Sequence, residues 1–147
     1  MTNVRSAVPL DQPYYGAPIG AAVQRFFKKY ATFRGRASRS EFWWWTLVNV
    51  IVAVVLSGLA LATSGPTVDE LGQPVGPSGL GLVFYLLYLA WTLATIVPGI
   101  ALVVRRLHDS NKSGFWLLIV FVPVVGPIIL FVFELLPADP AGARFDA

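Results

Sequence analysis

Residues 105–116 read RRLHDSNKSGFW, and this short polar stretch separates two long apolar stretches of the chain. It contains the only histidine and three of the eleven Lys and Arg residues. If the flanking stretches are membrane helices, they hold it at a bilayer surface with its cations at headgroup level. The sequence therefore predicts a membrane protein organised around a cationic loop at residues 105–113.

The composition is typical of a membrane protein with room for one domain. Of the 147 residues, 56% are hydrophobic and only 13% are charged, whereas soluble domains carry about 25% charged residues. Five Trp, five Tyr and ten Phe suit the membrane–water interface. The absence of cysteine excludes disulfides, thiolate metal sites and cysteine nucleophiles.

The predicted fold is an all-α integral membrane protein, with a short amphipathic interfacial helix before three apolar transmembrane segments. The first span reaches about 33 Å at 1.5 Å per residue, enough to cross a hydrocarbon core of about 30 Å. The expected divisions are a flexible tail at residues 1–18, a membrane domain at 19–136 and a short polar tail at 137–147. Within the domain we expect the interfacial helix at 20–33 and spans at 42–63, 80–104 and 115–136.

The third apolar segment is interrupted by the sequence PVVGP at residues 123–127. It is either one kinked span or a re-entrant hairpin of two half-helices. Each half-helix would reach only about 12–14 Å, roughly half the thickness of the core. We favour the full span, which puts the C-terminus outside the cell, whereas a re-entrant hairpin leaves it in the cytoplasm.

Residues 20–33 show a helical pattern with aromatic and basic positions. The aromatic face holds Ala22, Phe26, Tyr30 and Phe33, and the basic residues lying mostly away from it are Arg25, Lys28 and Lys29. Such a helix suits the plane of an anionic leaflet. The alternative is a helix packed on a soluble core, and we favour the interfacial position.

Ser38 and Glu41 form an S-x-x-E pattern immediately before the first apolar run. In such a capping box the Ser38 hydroxyl accepts from the Glu41 N–H, and the Glu41 carboxylate accepts from the Ser38 N–H. The pattern predicts that a helix begins here and leads into the first span.

The basic residues are distributed unevenly along the chain. Ten of the eleven Lys and Arg residues lie before the first span or at 105–112, and none lies between the first two spans. The positive-inside rule therefore predicts that the N-terminus and the 105–112 loop are cytoplasmic and that 64–79 is outside. Because this explains the basic charge, we expect no nucleic-acid partner.

This topology brings two basic motifs to one face of the membrane. The candidate anion-binding residues are Arg34, Arg36, Arg39, Arg105, Arg106 and Lys112, and Glu41 and Asp109 are candidate counter-ions. One interpretation is a general anchor, with about 1 kcal/mol per cation near an anionic leaflet. The other is bidentate recognition of phosphate or carboxylate from an anionic phospholipid or a partner.

His108 and Asp109 invite a catalytic interpretation, since a histidine oriented by a carboxylate can act as a general base. No nucleophile or metal-ligand motif stands beside them, however. We expect Asp109 to cap the turn into the third helix and His108 to bond a neighbour across the loop. No catalytic residue, metal or cofactor is predicted.

Several polar residues lie inside the spans. For Asn49 we expect a helix–helix hydrogen bond, worth about 1 kcal/mol, over a substrate contact. The second span carries a polar stripe at helical spacing, made of Tyr85, Tyr88, Thr92 and Thr95. This stripe is either a packing face or a polar groove for a lipid or solute.

Two motifs in this order and spacing carry a family resemblance. FxGRxSRxEFW at residues 33–43 is followed by RRLHD at 105–109 and SGFW at 113–116. The chain resembles the YhaH-like bacterial inner-membrane family, domain of unknown function 805, over roughly residues 21–146. The resemblance implies a small multi-pass protein of the bacterial inner membrane and brings no agreed activity. Family members usually end in Asn-Arg-Tyr/Phe-Gly, whereas residues 143–146 here are ARFD.

We therefore expect a non-enzymatic binding or scaffold protein that recognises anionic lipid headgroups or a membrane partner. The partner is either another protein or a second copy in a homo-oligomer. One alternative is a transport or channel component that uses the polar stripe of the second span. Another is a membrane enzyme that uses His108 and Asp109.

Overall fold

A computed structural model describes residues 8–66 and 68–146, and the regular secondary structure of this part of the chain is helical. The α-helices are α1 (Ile19–Lys28), α2 (Arg39–Thr63), α3 (Gly79–Asp109) and α4 (Val125–Leu135), and two 3-10 helices cover Gly114–Phe121 and Pro140–Phe145. The described residues contain no β-strand beyond one isolated bridge between Val68 and Pro74. The predicted all-α class is confirmed.

Two helices are long and apolar enough to cross a membrane, α2 with 25 residues and α3 with 31. They reach about 37 Å and 46 Å, more than the hydrocarbon core of about 30 Å. In the most apolar 18-residue stretch of each helix, only 6% (α2) and 11% (α3) is buried against protein. Helices of a soluble core would be mostly covered by protein, so these exposed apolar faces fit contact with lipid.

The boundaries of these helices correct the prediction at the cationic stretch. α2 begins at Arg39 rather than 42, and α3 continues to Asp109 rather than ending at 104. Arg105 to Asp109 therefore form the last turns of α3 and not a loop. The helix continues because Leu107, at 0% exposure, is packed inside the protein together with its charged neighbours.

The third apolar segment does not form the continuous span that we favoured. It consists of the first 3-10 helix, Gly114–Phe121, and α4, which pack against each other. A Cβ atom at Gly126 would lie 1.8 Å from the carbonyl oxygen of Ile119, so only glycine permits this close approach. Each helix is about 16 Å long, roughly half the thickness of a hydrocarbon core.

Three backbone N–H groups of the turn between these two short helices donate within it. The N–H of Val122 donates to Ile119 at 2.9 Å, that of Val125 to Pro123 at 2.7 Å, and that of Gly126 to Val122 at 2.9 Å. Pro123 itself has no N–H to satisfy. Val124 has a φ of 65°, which is strained for a β-branched residue.

The chain divides into two compact units. One comprises residues 46–96, and the other comprises 8–45 and 97–146 of the described chain. The second unit contains α1, both basic motifs, the two 3-10 helices and α4. It therefore holds every candidate anion-binding residue.

Candidate functional site

The two basic motifs meet in the structure. The Ala37 N–H donates to the carbonyl of Arg105 at 3.0 Å, and Nδ1 of His108 lies 3.1 Å from the carbonyl oxygen of Gly35. The second 3-10 helix joins them, because the Gly35 N–H donates to the carbonyl of Phe145 at 2.8 Å. We call residues 34–41, 105–109 and 139–146 together the arginine assembly.

The predicted capping box is present at the start of α2. The Glu41 N–H donates to Oγ of Ser38 at 3.2 Å, and the Ser38 N–H donates to Oε2 of Glu41 at 2.9 Å. Glu41 is buried and also accepts from the backbone N–H of Tyr14 at 3.1 Å. Its other oxygen accepts from Nε of Arg25 at 2.5 Å. A cap recognised from sequence is thus also the counter-ion of a basic residue on α1.

α1 packs on protein through Ala22 and Phe26 of the predicted face together with Arg25, and it ends at Lys28 rather than 33. Phe26 stacks on Trp45 of α2 with ring centroids 3.4 Å apart. Arg25 and Lys29 are buried, whereas Tyr30 and Phe33 are exposed. Arg25 can be buried because Glu41 and several backbone carbonyls satisfy its guanidinium.

Those carbonyls belong to residues 8–18, which we call the N-terminal strap. Arg25 donates to the carbonyl oxygens of Val8, Pro9 and Gln12. These residues were predicted as part of a flexible tail, but they lie bonded across α1 and the start of α2. The remainder of that predicted tail, residues 1–7, lies outside the described residues.

The strap also bonds both basic motifs. The carbonyl of Tyr14 accepts from Oγ of Ser38 at 2.6 Å, and the Ala17 N–H donates to Oγ of Ser40 at 2.9 Å. The half-exposed Tyr15 donates its hydroxyl to Oδ1 of Asp109 at 2.6 Å. Partial burial and this hydrogen bond raise the pKa of Tyr15 to about 12.

Arg106 and Asp109 form a fully buried ion pair. Nη1 of Arg106 donates to Oδ2 of Asp109 at 2.8 Å, and both side chains are at most 1% exposed. The remaining guanidinium nitrogens donate to the carbonyls of Glu134, at 3.1 Å, and Leu136. Arg106 was predicted as an exposed anion-binding cation, but its side chain is buried and its charge is neutralised inside the protein. Its contacts hold the end of α4 against α3.

Asp109 does not cap the next helix. Oγ of Ser113 takes that position and accepts from the Phe115 N–H at 3.4 Å. Asp109 also does not pair with His108, because its oxygens accept from Arg106 and Tyr15. The His108 ring instead stacks on Phe145, with centroids 4.1 Å apart. His108 was predicted to bond a neighbour across the loop, but its ring contacts Gly35 of the other basic motif, and the arrangement of a general base oriented by Asp109 is not formed.

Arg105, another predicted anion-binding residue, is also buried, at 1% exposure. Its Nε donates to the carbonyl of Ala101 at 3.1 Å. Its Nη2 is buried without a hydrogen-bond partner in the described part of the chain. Nearby Lys29 is 4% exposed, and burial, followed by the charges of Arg105 and Arg25, lowers its pKa to about 8.

The other predicted cations differ in how far they are engaged. Arg36 binds both carboxylate oxygens of Asp146 at 2.7–3.0 Å, and this hydrogen bonding raises the pKa of Arg36. Lys112 lies with Nζ 5.5 Å from the ring centroid of Phe133. Arg34 and Arg39 are exposed and have no hydrogen bond or ion pair within residues 8–66 and 68–146. Among the predicted anion-binding residues, Arg34 and Arg39 are therefore the two whose guanidinium groups are available to a ligand.

Arg39 borders a small polar cavity of about 280 Å³ at the start of α2. The cavity is lined by Tyr15, Gly16, Ser38, Arg39, Ser40, Asp109 and Ala138. Backbone N–H groups in the first turn of a helix have no partner within the helix. The cavity thus combines the Arg39 guanidinium, the Asp109 carboxylate, a wall supplied by the strap, and the first turn of α2, whose Glu41 N–H is already bonded to Ser38.

The polar residues of the unit at 46–96 separate into two groups. Oδ1 of Asn49 accepts from Nε1 of Trp91 at 2.9 Å, which confirms the predicted helix–helix hydrogen bond. The hydroxyls of Thr92 and Thr95 donate to carbonyls of their own helix. Tyr85 and Tyr88 line a cavity of about 420 Å³ together with Ser57, Ser64 and apolar residues. The predicted stripe is therefore not one continuous polar surface.

Comparison with known proteins agrees with the membrane architecture. The family described as protein of unknown function DUF805 matches residues 30–147. The chain is 39% identical over 106 residues to inner membrane protein YhaI of Escherichia coli K12, covering 72% of this chain and 75% of that protein. It is 35% identical over 123 residues to inner membrane protein YhaH of the same strain, covering 82% and 89%.

No solved structure matches the chain. The family match includes the whole arginine assembly and begins after the N-terminal strap. The chain belongs to the DUF805 family, whose relatives YhaI and YhaH are inner membrane proteins.

Proposed function

We propose that this protein is a non-enzymatic binding protein of the inner membrane that recognises anionic phospholipid headgroups at the start of α2. The observation that carries the proposal is the exposure of the Arg34 and Arg39 guanidinium groups, neither of which has a partner within the described residues. Arg39 also borders the cavity of about 280 Å³. The inner-membrane relatives supply the setting, a bilayer that contains such headgroups.

The chemistry of the cavity fits a phosphate group. Guanidinium groups bind phosphate oxygens bidentately. Lys and Arg side chains near an anionic leaflet contribute about 1 kcal/mol each. Arg34 and Arg39 lie at the entry to an apolar helix, so their ligand would have its acyl chains beside α2.

The proposal includes an orientation in the membrane. The arginine assembly is placed on the cytoplasmic side and residues 64–79 on the outer side, because Lys and Arg are concentrated in the former and absent from the latter. Residues 139–146 bond the first basic motif, because the Gly35 N–H donates to Phe145 and Arg36 donates to Asp146. We therefore place them on the cytoplasmic side as well, with the segment 114–135 entering and leaving on one side.

The test is lipid retention after gentle extraction from the membrane, measured by mass spectrometry. An Arg34→Gln, Arg39→Gln double variant should lose an anionic phospholipid that the wild type retains. The control is an Arg36→Gln, Arg144→Gln double variant. It also removes two positive charges, but from guanidinium groups that already contact Asp146 and Asn111. This control should retain the lipid. Equal retention by all three proteins would contradict the proposal.

The cavity of about 420 Å³ at Tyr85 and Tyr88 favours a second candidate function, binding or transport of an amphiphilic solute. Its lining is mostly apolar, with tyrosine and serine hydroxyls as polar groups. A Tyr85→Phe, Tyr88→Phe double variant keeps both rings and removes both hydroxyls. Solute binding or flux that is unchanged in this variant would count against this function.

A further inference from the structure

The cavity at Tyr85 and Tyr88 lies entirely within the unit at residues 46–96. Its volume is about 420 Å³, and its walls are the last turns of α2, the first turns of α3 and the segment that joins these helices. A cavity of this size accommodates a small organic molecule. The chemistry of its lining decides which kind of molecule fits.

The hydrogen-bond donors around this cavity are largely committed to the protein itself. Oγ of Ser57 and Oγ of Ser64 donate to carbonyls of α2 at 3.2 Å and 2.6 Å. Because a hydroxyl has one hydrogen, only acceptor lone pairs remain on these two oxygens. The Gly65 N–H donates to Oγ of Ser78 at 3.2 Å, and the lining prolines have no N–H. The lining therefore offers a ligand more acceptors than donors.

Tyr85 and Tyr88 add oxygen acceptors and aromatic rings. Neither hydroxyl has a hydrogen bond within residues 8–66 and 68–146. A phenol oxygen can accept from a ligand, and the face of the ring attracts a cation. Both properties favour a cationic ligand group over an anionic one.

The charged side chains of this unit are all acidic. No Lys, Arg or His lies between residues 40 and 104, and Asp69 and Glu70 are the only acidic residues from 46 to 96. Asp69 lines a second cavity, of about 440 Å³. The lining residues that the two cavities share are Pro66, Val75, Gly76 and Pro77. Among the described residues that line either cavity, Asp69 alone is charged.

The carboxylate of Asp69 is held in place by its own turn. Its Oδ1 accepts from the N–H groups of Leu71 and Gln73, at 2.9 Å and 2.8 Å. Its charge has no ion-pair partner in the part of the chain that the structure describes. A negative charge of fixed position therefore stands beside an apolar cavity whose lining accepts hydrogen bonds.

Resting on the second function proposed above, we propose that this cavity binds an amphiphile whose head is a primary ammonium group. Such a head has three donors for the acceptor oxygens and a positive charge that Asp69 attracts. Its apolar chain lies against the apolar part of the lining, which includes Ala60 and Leu61. An anionic head would meet the charge of Asp69 without a cation to bind it, and a neutral head would gain no charge attraction.

The test uses the full chain, purified in a neutral detergent, and three probes with the same chain length: decylammonium, decanol and decanoate. Isothermal titration calorimetry measures the Kd of each probe, with titration into protein-free micelles as the blank. Decylammonium should bind about tenfold more tightly than decanol, because its hydrogen bonds are charge-assisted. Decanoate should bind more weakly than decanol.

Variants of the acidic residues locate the ammonium group. Asp69→Asn keeps an Oδ1 acceptor for the turn and removes the charge, so the Kd of decylammonium should rise about fivefold. The Kd of decanol should not change. Glu70→Gln removes the same charge from the adjacent residue, which lines neither cavity, and should have a smaller effect. Because wild type and variants are measured in the same micelles, probe uptake by detergent cancels from this comparison.

The outcomes separate the ammonium site from the function on which it rests. Equal binding of all three probes to wild type and to the Tyr85→Phe, Tyr88→Phe variant would overturn both. Decanol or decanoate that binds as tightly as decylammonium, and is lost in the tyrosine variant, would support the second function and overturn the ammonium site. An Asp69→Asn effect no larger than that of Glu70→Gln would also overturn the ammonium site.

Discussion

The hydroxyl of Tyr15 donates a 2.6 Å hydrogen bond to the carboxylate of Asp109, 94 positions later in the chain. This bond joins the N-terminal strap to the last turn of α3, and Tyr15 thereby forms one wall of the cavity beside Arg39. The family match begins at residue 30. The strap is thus a part of the site that lies outside the matched region.

Replacing Tyr15 by Phe removes this hydrogen bond and keeps the ring. We expect the free energy of unfolding to fall by about 1 kcal/mol, the usual net contribution of one such bond. Tyr14→Phe is the control, because the Tyr14 hydroxyl has no hydrogen bond within the described residues. Chemical denaturation in detergent measures both variants, and equal stability of the two would show that the strap bond contributes nothing.

Arg106 and Arg36 should respond differently to the same substitution. Arg106→Gln leaves the buried Asp109 without its ion-pair partner, and we expect a loss of about 3–5 kcal/mol. Arg36→Gln breaks a partly exposed pair with Asp146, and we expect a loss below about 1 kcal/mol. Denaturation curves of the two variants compare their free energies of unfolding. Similar losses would mean that the buried Arg106–Asp109 pair is no more important for stability than the partly exposed Arg36–Asp146 pair.

Gly126→Ala should disrupt the packing of α4 on the first 3-10 helix. The added Cβ would lie 1.8 Å from the Ile119 carbonyl oxygen, so the backbones must separate. We expect a Tm lower by several degrees or loss of folded protein. Gly99→Ala is the matched control on α3, where nothing lies within 4 Å of the added Cβ. That control should be neutral or stabilising by up to about 1 kcal/mol.

The lowered pKa of Lys29 makes stability depend on pH. Between about 8, the pKa in the folded protein, and 10.5, the ordinary value, the unfolded chain binds more protons than the folded one. Stability attributable to Lys29 should therefore rise as pH increases through this window. The difference in Tm between wild type and Lys29→Gln, followed from pH 7.5 to 9.5, isolates this effect. A difference that stays constant would contradict a buried Lys29.

The absence of cysteine from the sequence makes single-cysteine labelling a direct test of orientation. Gln73→Cys lies between α2 and α3, and Gln24→Cys is an exposed position on α1. In intact cells with a permeabilised outer membrane, an impermeant maleimide should label Gln73→Cys and not Gln24→Cys. Both should react after detergent is added. Labelling in the reverse order would overturn the proposed cytoplasmic position of the arginine assembly.

The sequence predicted what depends on hydropathy and local pattern. The apolar lengths identified α2 and α3, S-x-x-E identified the cap at Ser38 and Glu41, and an isolated amide identified the Asn49 bond. These features succeed because each depends on residue spacing or on the cost of a polar group in an apolar surrounding.

The features that escaped prediction depend on partners distant in the chain. Arg25 is buried because Glu41 and strap carbonyls surround it, and backbone carbonyls leave no trace in composition. Arg106 is buried for a similar reason, since its partners include the carbonyls of Glu134 and Leu136. Both arginines were assigned to a surface because charge alone suggested water or headgroups.

The self-bonded turn between the first 3-10 helix and α4 has a consequence for how the protein enters the bilayer. Neither arm, at about 16 Å, is long enough to be inserted as a span by itself. The cost of bringing the turn into hydrocarbon is lowered, because Val122, Val125 and Gly126 donate their N–H groups within it and Pro123 has none. We therefore expect both arms to partition from the insertion machinery together, as one step that follows the release of α3.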